Sequence, residues 1–234
     1  MTQQLVVIGN GMAPGRVLEE LFEQENHGYQ VTVFNAEPRV NYDRIMLSPV
    51  LSGEKAYEDI VIHGDSWYAE NGVTLHKGKP VIDINRKTRI VKAVDGTSVK
   101  YDKLLIATGS SPFIPPISGK DLHGVFTYRD LDDVDGMLEA AESGGHAVVI
   151  GGGLLGLEAA AGLQMRGMDV TVLHLGPTIM ERQLDTAGGF LLKEALTERG
   201  ISVITEANTT AILGDTKVEG VQLSTGEVID ASIV

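Results

Sequence analysis

Short runs of apolar, largely β-branched residues alternate along this chain with stretches of helical period, and glycines stand at several of the joins. Leu5–Ile8 predicts a buried strand, and Val17, Leu18, Leu21 and Phe22 share one face of the helix expected after it. Gly28 ends that helical region, and Gln30–Phe34 predicts a second strand. Asn41–Gly53 mixes polar and apolar positions without a clean period. Val81–Asn85, Ile90–Ala93 and Ser98–Lys100 read as a meander with Asp95-Gly96 at its hairpin turn. From Tyr101 to Pro112 the chain passes from a turn through an apolar strand into a bend of small residues.

The pattern then begins again. Ala147–Ile150 predicts a strand, an Ala- and Leu-rich helix follows, and Asp169–Leu173 predicts the next strand. Ala187–Arg199 carries Phe190, Leu191, Leu192, Ala195 and Leu196 in amphipathic order and is stopped by Gly200. Ile201–Ile204 and a hairpin around Thr225-Gly226 complete this part. Pro112, Pro115 and Pro116 mark the crossing between the two halves, and Asp130 is placed to cap a helix whose first turn holds Asp132 and Asp133. The expectation is an α/β protein of two Rossmann-like domains, 1–112 and 113–234.

The glycines at the joins carry the chemistry. Gly151, Gly153 and Gly156 give G-x-G-x-x-G after a strand and at the start of a helix, with Leu155 inside the loop. The first glycine turns the chain off the strand, the second lets backbone approach a pyrophosphate, and the third lets helix pack on strand. Unpaired N–H groups at the helix start favour the phosphate. The alternative is a glycine-rich turn with no ligand. Gly9, Gly11 and Met12 repeat the pattern after the first strand, but Pro14 stands at the third glycine position and Gly15 follows it. Proline is tolerated in a helix's first turn, although one anion-facing donor is lost. Glu37, past the end of the second strand, can accept from both ribose hydroxyls of an adenosine, or can be a solvent-facing loop residue. Two such loops form an internal repeat, which implies one dinucleotide held as a prosthetic group and a second as its exchangeable reductant.

Composition narrows the field. The chain has 234 residues, 43% hydrophobic and 22% charged, enough for a sizeable core. Nineteen basic residues against 32 acidic leave a formal net charge of −13, which disfavours nucleic acid and anionic membranes as partners. With no cysteine there is no disulfide framework, thiolate metal site or redox dithiol within these residues, which argues against a disulfide reductase. The six histidines show no metal-ligand spacing. No run approaches the roughly 20 apolar residues that span a bilayer, and Met1-Thr2-Gln3-Gln4 lacks a basic leader. The chain is expected to be soluble and cytoplasmic.

These motifs resemble the pyridine-nucleotide-dependent flavoprotein oxidoreductases, and Leu104-Leu105-Ile106-Ala107-Thr108-Gly109 is similar to that family's second FAD motif. Gly9-Asn10-Gly11-Met12, Asn41-Tyr42-Asp43-Arg44 and Met180-Glu181-Arg182-Gln183-Leu184-Asp185 resemble its assimilatory NAD(P)H nitrite reductase large-subunit branch. The resemblance implies FAD contacts at Gly9, Gly11, Glu37, Arg44, Val81, Ala107, Thr108, Gly109 and Arg129. Forked guanidinium donors at Arg44 and Arg129 suit a pyrophosphate, or either is a surface ion-pair partner. For NAD(P)H the contacts implied are Gly151, Gly153, Leu155, Gly156 and Glu158, the last beside the nicotinamide or simply an acid near a helix N-terminus. His174 stands where an acid would select NADH, and leaves NADH against NADPH open.

The activity implied is hydride transfer from NAD(P)H to FAD and delivery of electrons onward, with no side chain required as acid or base. Iron–sulfur and sirohaem groups belong to a part of such proteins beyond these residues. The resemblance leaves room for a small nitrite reductase subunit and for a homo-oligomer as partners. Rival readings are a ferredoxin-, rubredoxin- or quinone-serving reductase and a non-catalytic nucleotide-binding redox sensor. Pro49, where related ferredoxin reductases carry lysine, weakens the first. Val228–Val234 stops inside an apparent strand, so the chain is expected to be an N-terminal piece with its FAD domain incomplete at the C-terminus and FAD-poor as purified.

Overall fold

The computed structural model describes residues 2–234. In chain order the elements are β1 (Gln3–Ile8), α1 (Met12–Phe22), β2 (Tyr29–Phe34), β3 (Asn41–Tyr42), α2 (Leu47–Ser52), β4 (Val61–His63), α3 (Asp65–Glu70), β5 (Thr74–His76), β6 (Val81–Asn85), β7 (Ile90–Ala93), β8 (Ser98–Lys100) and β9 (Lys103–Ile106). There follow α4 (Leu131–Glu142), β10 (His146–Ile150), α5 (Leu154–Met165), β11 (Asp169–Leu173), α6 (Thr186–Glu198), β12 (Ile201–Ile204), β13 (Thr209–Leu213), β14 (Gly220–Leu223) and β15 (Val228–Asp230). They divide into two compact units: one runs to Ile45 and resumes over Tyr57–Ser110, and the other comprises Met46–Ala56 and Ser111–Val234. Among the described residues no helix is long and apolar enough to cross a membrane.

The first unit is built on a parallel sheet of order β5-β2-β1-β9. Its central strand is apolar on both faces, as a covered parallel sheet requires. Alternation along β1 sends Val7 to a cluster with Leu18 of α1, Val31, Val33 and Tyr68. Val6 and Ile8 go to the opposite cluster, with Phe34, Val91, Ala93 and Tyr101 beneath the antiparallel meander β6-β7-β8. Gly96, at φ +88°, supplies the left-handed residue of the β7–β8 turn. From β1 the chain moves to β2 on one side while β9 lies on the other, so the carboxyl ends of β1 and β9 flank a topological switch point.

In the second unit β10, β11 and β12 form a parallel sheet, and β13, β14 and β15 an antiparallel one. The two share a core of Val148, Leu173, Ile212, Val218, Val221 and Leu223. Past β15 the chain pairs beside β10: Val148 N–H donates to the Ile233 carbonyl at 3.0 Å, an Ala147–Ile233 bridge in parallel sense. Helix α5 packs on β10 and β11 and also against α2 and α4. Contact on several sides explains why its sequence is apolar nearly all round. An added Cβ on Gly162 would lie 2.7 Å from Leu51 Cγ, so this glycine sets how closely α2 approaches. Arg166, at the end of α5, donates from Nε to the Leu51 carbonyl at 2.6 Å and from Nη2 to the Val50 carbonyl at 3.1 Å. A cation on the last carbonyls of α2 satisfies orphan acceptors and suits the helix dipole.

Candidate dinucleotide sites

In the first unit, Gly9 follows β1 at φ +108°, and a Cβ there would sit 2.1 Å from the Ala107 carbonyl oxygen. That contact joins the ends of β1 and β9 at the switch point, and Ala107 N–H donates back to the Ile8 carbonyl at 2.8 Å. Gly11 is the N-cap of α1, makes no side-chain cap bond, and a Cβ on it would meet nothing within 4 Å. Met12 opens the helix and Pro14 is its third residue, with the first helical bond made by Gly15 N–H to the Gly11 carbonyl. The missing N–H of Pro14 is therefore one that has no intrahelical acceptor in any residue. Close packing passes to Gly15, whose added Cβ would lie 3.1 Å from the Asn41 amide. Asn41, fully buried, donates to the carbonyls of Asn10 and Gly11 at 2.8 and 2.7 Å, and Tyr68 donates to Asn10 Oδ1 at 2.8 Å. Burial pushes the Tyr68 phenol up to about 12, so it stays a donor.

Glu37 accepts from the Tyr42 hydroxyl at 2.7 Å and pairs with Arg44. Each carboxylate oxygen thus has one partner already, and lone pairs remain for a ligand diol. Arg44 is 29% exposed in its side chain and Glu37 17%, so the pair is partly buried. Val81 begins β6, Thr108 and Gly109 lie exposed beyond β9, and Gly109 has φ +73°. Arg129 belongs to the second unit, directly before Asp130, and its backbone N–H donates to Asp133 at 2.6 Å. Asp130 itself accepts from the N–H groups of Asp132 and Asp133, completing a capping box on α4.

The second unit repeats the loop. Gly151 follows β10 at φ +127° and donates to the Leu173 carbonyl at 2.8 Å. Gly153 caps α5 with an ordinary φ of −88° and open space where a Cβ would be. Gly156 is the close contact: its Cβ would stand 2.0 Å from the Gly151 carbonyl oxygen. The first intrahelical bond is Leu157 N–H to the Gly153 carbonyl, so the N–H groups of Leu154, Leu155 and Gly156 point out of the helix start. A cleft of about 620 Å³ opens here, lined among others by Gly153, Leu155, His174, Glu181 and Arg182. That volume suits a ligand of dinucleotide fragment size.

Glu158, half-buried, accepts from Ser48 Oγ at 2.7 Å, and Ser48 in turn accepts from the Tyr128 hydroxyl at 2.9 Å. Tyr128 is buried at φ +53°, and burial pushes its phenol up, keeping it protonated as a donor. The carboxylate is therefore aimed by a two-hydroxyl relay. His174, just past β11, accepts from Gly152 N–H at Nδ1 (3.1 Å), and its Nε2 lies 2.8 Å from Glu181 Oε2. Tyr128, the packing role of Gly15 and the linkage of His174 to Gly152 escaped the sequence reading. The glycine one place after Pro14 was the visible signal for the second of these.

Two units, each with a parallel sheet in which a glycine loop joins a strand to the helix that follows it, define an α/β fold of two Rossmann-like halves. The chain belongs to the pyridine nucleotide-disulphide oxidoreductase family, which residues 3–234 match. Membership implies FAD and NAD(P)H as cofactors. Among curated relatives it is 45% identical over 232 residues to the nitrite reductase [NAD(P)H] of Bacillus subtilis (strain 168), covering 99% of this chain and 29% of that protein. It is 41% identical over 232 residues to the assimilatory nitrate reductase electron transfer subunit of the same organism, covering 99% of this chain and 30% of that one. The chain thus spans less than a third of the length of these relatives. Among solved structures, the NAD-dependent persulfide reductase of A. fulgidus superposes with a TM-score of 0.92 at 26% identity, over 99% of this chain and 45% of that one.

Proposed function

We propose that the first unit holds FAD, the second holds NAD(P)H, and the chain is the flavoprotein part of an NAD(P)H-dependent nitrite reductase. The observation that carries the cofactor reading is the same in both loops. Gly11 and Gly153 open onto empty space, while Gly9 and Gly156 are jammed against backbone. A turn needing glycine only for its own geometry has no reason to leave its middle position open. Gly9, Gly11, Met12 and Pro14 would cradle the FAD pyrophosphate, with Glu37, steadied by Tyr42 and Arg44, on the ribose. Val81, Ala107, Thr108 and Gly109 complete that set within the first unit. Gly151, Gly153, Leu155 and Gly156 would take the NAD(P)H pyrophosphate, with Glu158 beside the nicotinamide. Bound together, the cofactors would supply hydride transfer from nicotinamide to flavin, while the protein places them and excludes water.

The nitrite reductase reading is supported by 45% identity to the Bacillus subtilis nitrite reductase over nearly the whole chain. The electrons would pass to iron–sulfur and sirohaem groups held outside these residues, which contain no cysteine. A small subunit and self-association belong to this proposal, as does a cytoplasmic setting. Calorimetric titration of FAD and NADH into the parent, Gly11→Ala and Gly153→Ala tests the cofactor half. Gly11→Ala should weaken FAD alone and Gly153→Ala NADH alone, each by at least about tenfold. Either variant retaining both affinities overturns the assignment. For the acceptor, the protein from its natural source should show flavin, iron–sulfur and sirohaem absorption that bleaches with NADH under anaerobic conditions. Bleaching of flavin alone would replace nitrite reductase with a simple electron-transfer reductase.

A further inference from the structure

The residue directly after β11 is where a carboxylate would meet the adenosine ribose, and here it is His174. Its hydrogen bonds settle what the imidazole does. Gly152 N–H can only donate, so Nδ1, at 3.1 Å, is the unprotonated nitrogen. The ring proton then sits on Nε2 and is donated to Glu181 Oε2 at 2.8 Å. Both nitrogens are spent inside the protein. The ring is also walled in, since a Cβ on Gly152 would lie 3.1 Å from His174 Cγ and one on Gly176 3.1 Å from Nε2. His174 is thus a strut between the glycine loop and Glu181, with no nitrogen left for a ribose hydroxyl.

Glu181 differs in its exposure and its spare capacity. Its side chain is 53% exposed and lines the same cleft as Gly153 and Leu155; the carboxylate takes the His174 proton and its own backbone N–H, which leaves lone pairs for a ligand. We infer that Glu181, positioned by His174, replaces the missing strand-end acid as the acceptor for the adenosine ribose hydroxyls and so selects NADH over NADPH. A carboxylate accepts from a vicinal diol and repels a 2′-phosphate. Arg182, which lines the cleft beside it, is the cation a 2′-phosphate would find once that carboxylate is neutralised. The inference rests on the second unit being the nicotinamide dinucleotide site.

The test is calorimetric titration of NADH and NADPH into the chain with FAD held at saturation, so that the first loop is not read. The parent should prefer NADH by about tenfold or more, the range of one or two hydrogen bonds to a charged acceptor. Glu181→Gln, a half-exposed and nearly isosteric change, should lose most of that preference by weakening NADH and tightening NADPH. Adding Arg182→Ala should remove the NADPH gain without restoring NADH. His174→Gln should lower the preference while leaving NADPH affinity close to the parent's, which general loosening of the loop would not do. Binding of both dinucleotides with a ratio unmoved by Glu181→Gln overturns the inference and leaves the dinucleotide site standing. Absence of binding by either to the parent overturns the site itself, and the inference with it.

Discussion

Gly156→Ala asks whether the third glycine of the second loop is a packing residue or a ligand residue. The added Cβ would stand 2.0 Å from the Gly151 carbonyl oxygen, against a comfortable carbon–oxygen separation of about 3.3 Å. Loop and helix start must therefore part by roughly 1.3 Å, and the obstacle is backbone that cannot rotate away. Overpacking of this kind costs about 1–3 kcal/mol, and the upper end applies where nothing flexible yields. Alanine returns something near 0.4–1 kcal/mol through lower unfolded-state entropy and better helix propensity. The net loss is about 2 kcal/mol, or roughly 4–8 °C in melting temperature for a chain of this size. The comparison is Gly153→Ala, where φ is −88° and no atom lies within 4 Å; its melting temperature should move by no more than about 2 °C. Thermal unfolding by circular dichroism reads both. If Gly156→Ala melts at or above the parent temperature, the close contact is not a constraint and the division of labour among the three glycines is wrong.

Three further outcomes are expected. Asp130→Ala removes the acceptor for two backbone N–H groups at the start of α4 and should cost about 1 kcal/mol, while Asp130→Asn stays near the parent in the same melt. Gly162→Ala should destabilise by driving a Cβ to 2.7 Å from Leu51 Cγ. Leu51→Ala in the same chain should cost less than it does alone, and strict additivity in that double-mutant cycle would refute the contact. Asp95 is held down to about 2 by the Thr97 backbone N–H first, with help from the Lys79 ammonium. Its folded value lies below the ordinary 3.8, so its contribution is present above that value and fades as pH falls through about 2. Asp95→Asn should therefore melt lower than the parent at neutral pH and match it near pH 2; a deficit that persists in acid would contradict this.

The parts legible in the sequence were those governed by local rules. The β-branched runs over 5–8 and 147–150 announced central strands because a sheet covered on both faces leaves no polar positions to interrupt the pattern. The glycine spacings announced the loops because Gly9 and Gly156 sit against backbone that leaves no room for a Cβ, and Gly9 and Gly151 also have positive φ. Leu47–Ser52 was illegible for the opposite reason. Its apolar residues answer to α5, more than a hundred residues on, and its Ser48 answers to Glu158 at a separation of 110. Asn41 looked like loop polarity, yet it is fully buried and carries the carbonyls of the first glycine loop. His174 left NADH against NADPH open, and nothing local revealed that Gly152 would claim one nitrogen and Glu181, seven residues on, the other.

The threading of Met46–Ala56 into the second unit also governs how this protein can be cut, copied or recombined. Expressing 111–234 alone would deliver a helix with Gly162 facing no Leu51 and an Arg166 stripped of its two carbonyl acceptors, one of them 115 residues upstream. Glu158 would lose the hydroxyl that aims it. The second unit is thus not a detachable cassette. A shuffled or truncated derivative would have to carry that eleven-residue strip across a new junction, and any crossover placed between Ser48 and Glu158 pairs an aiming hydroxyl from one parent with a carboxylate from another.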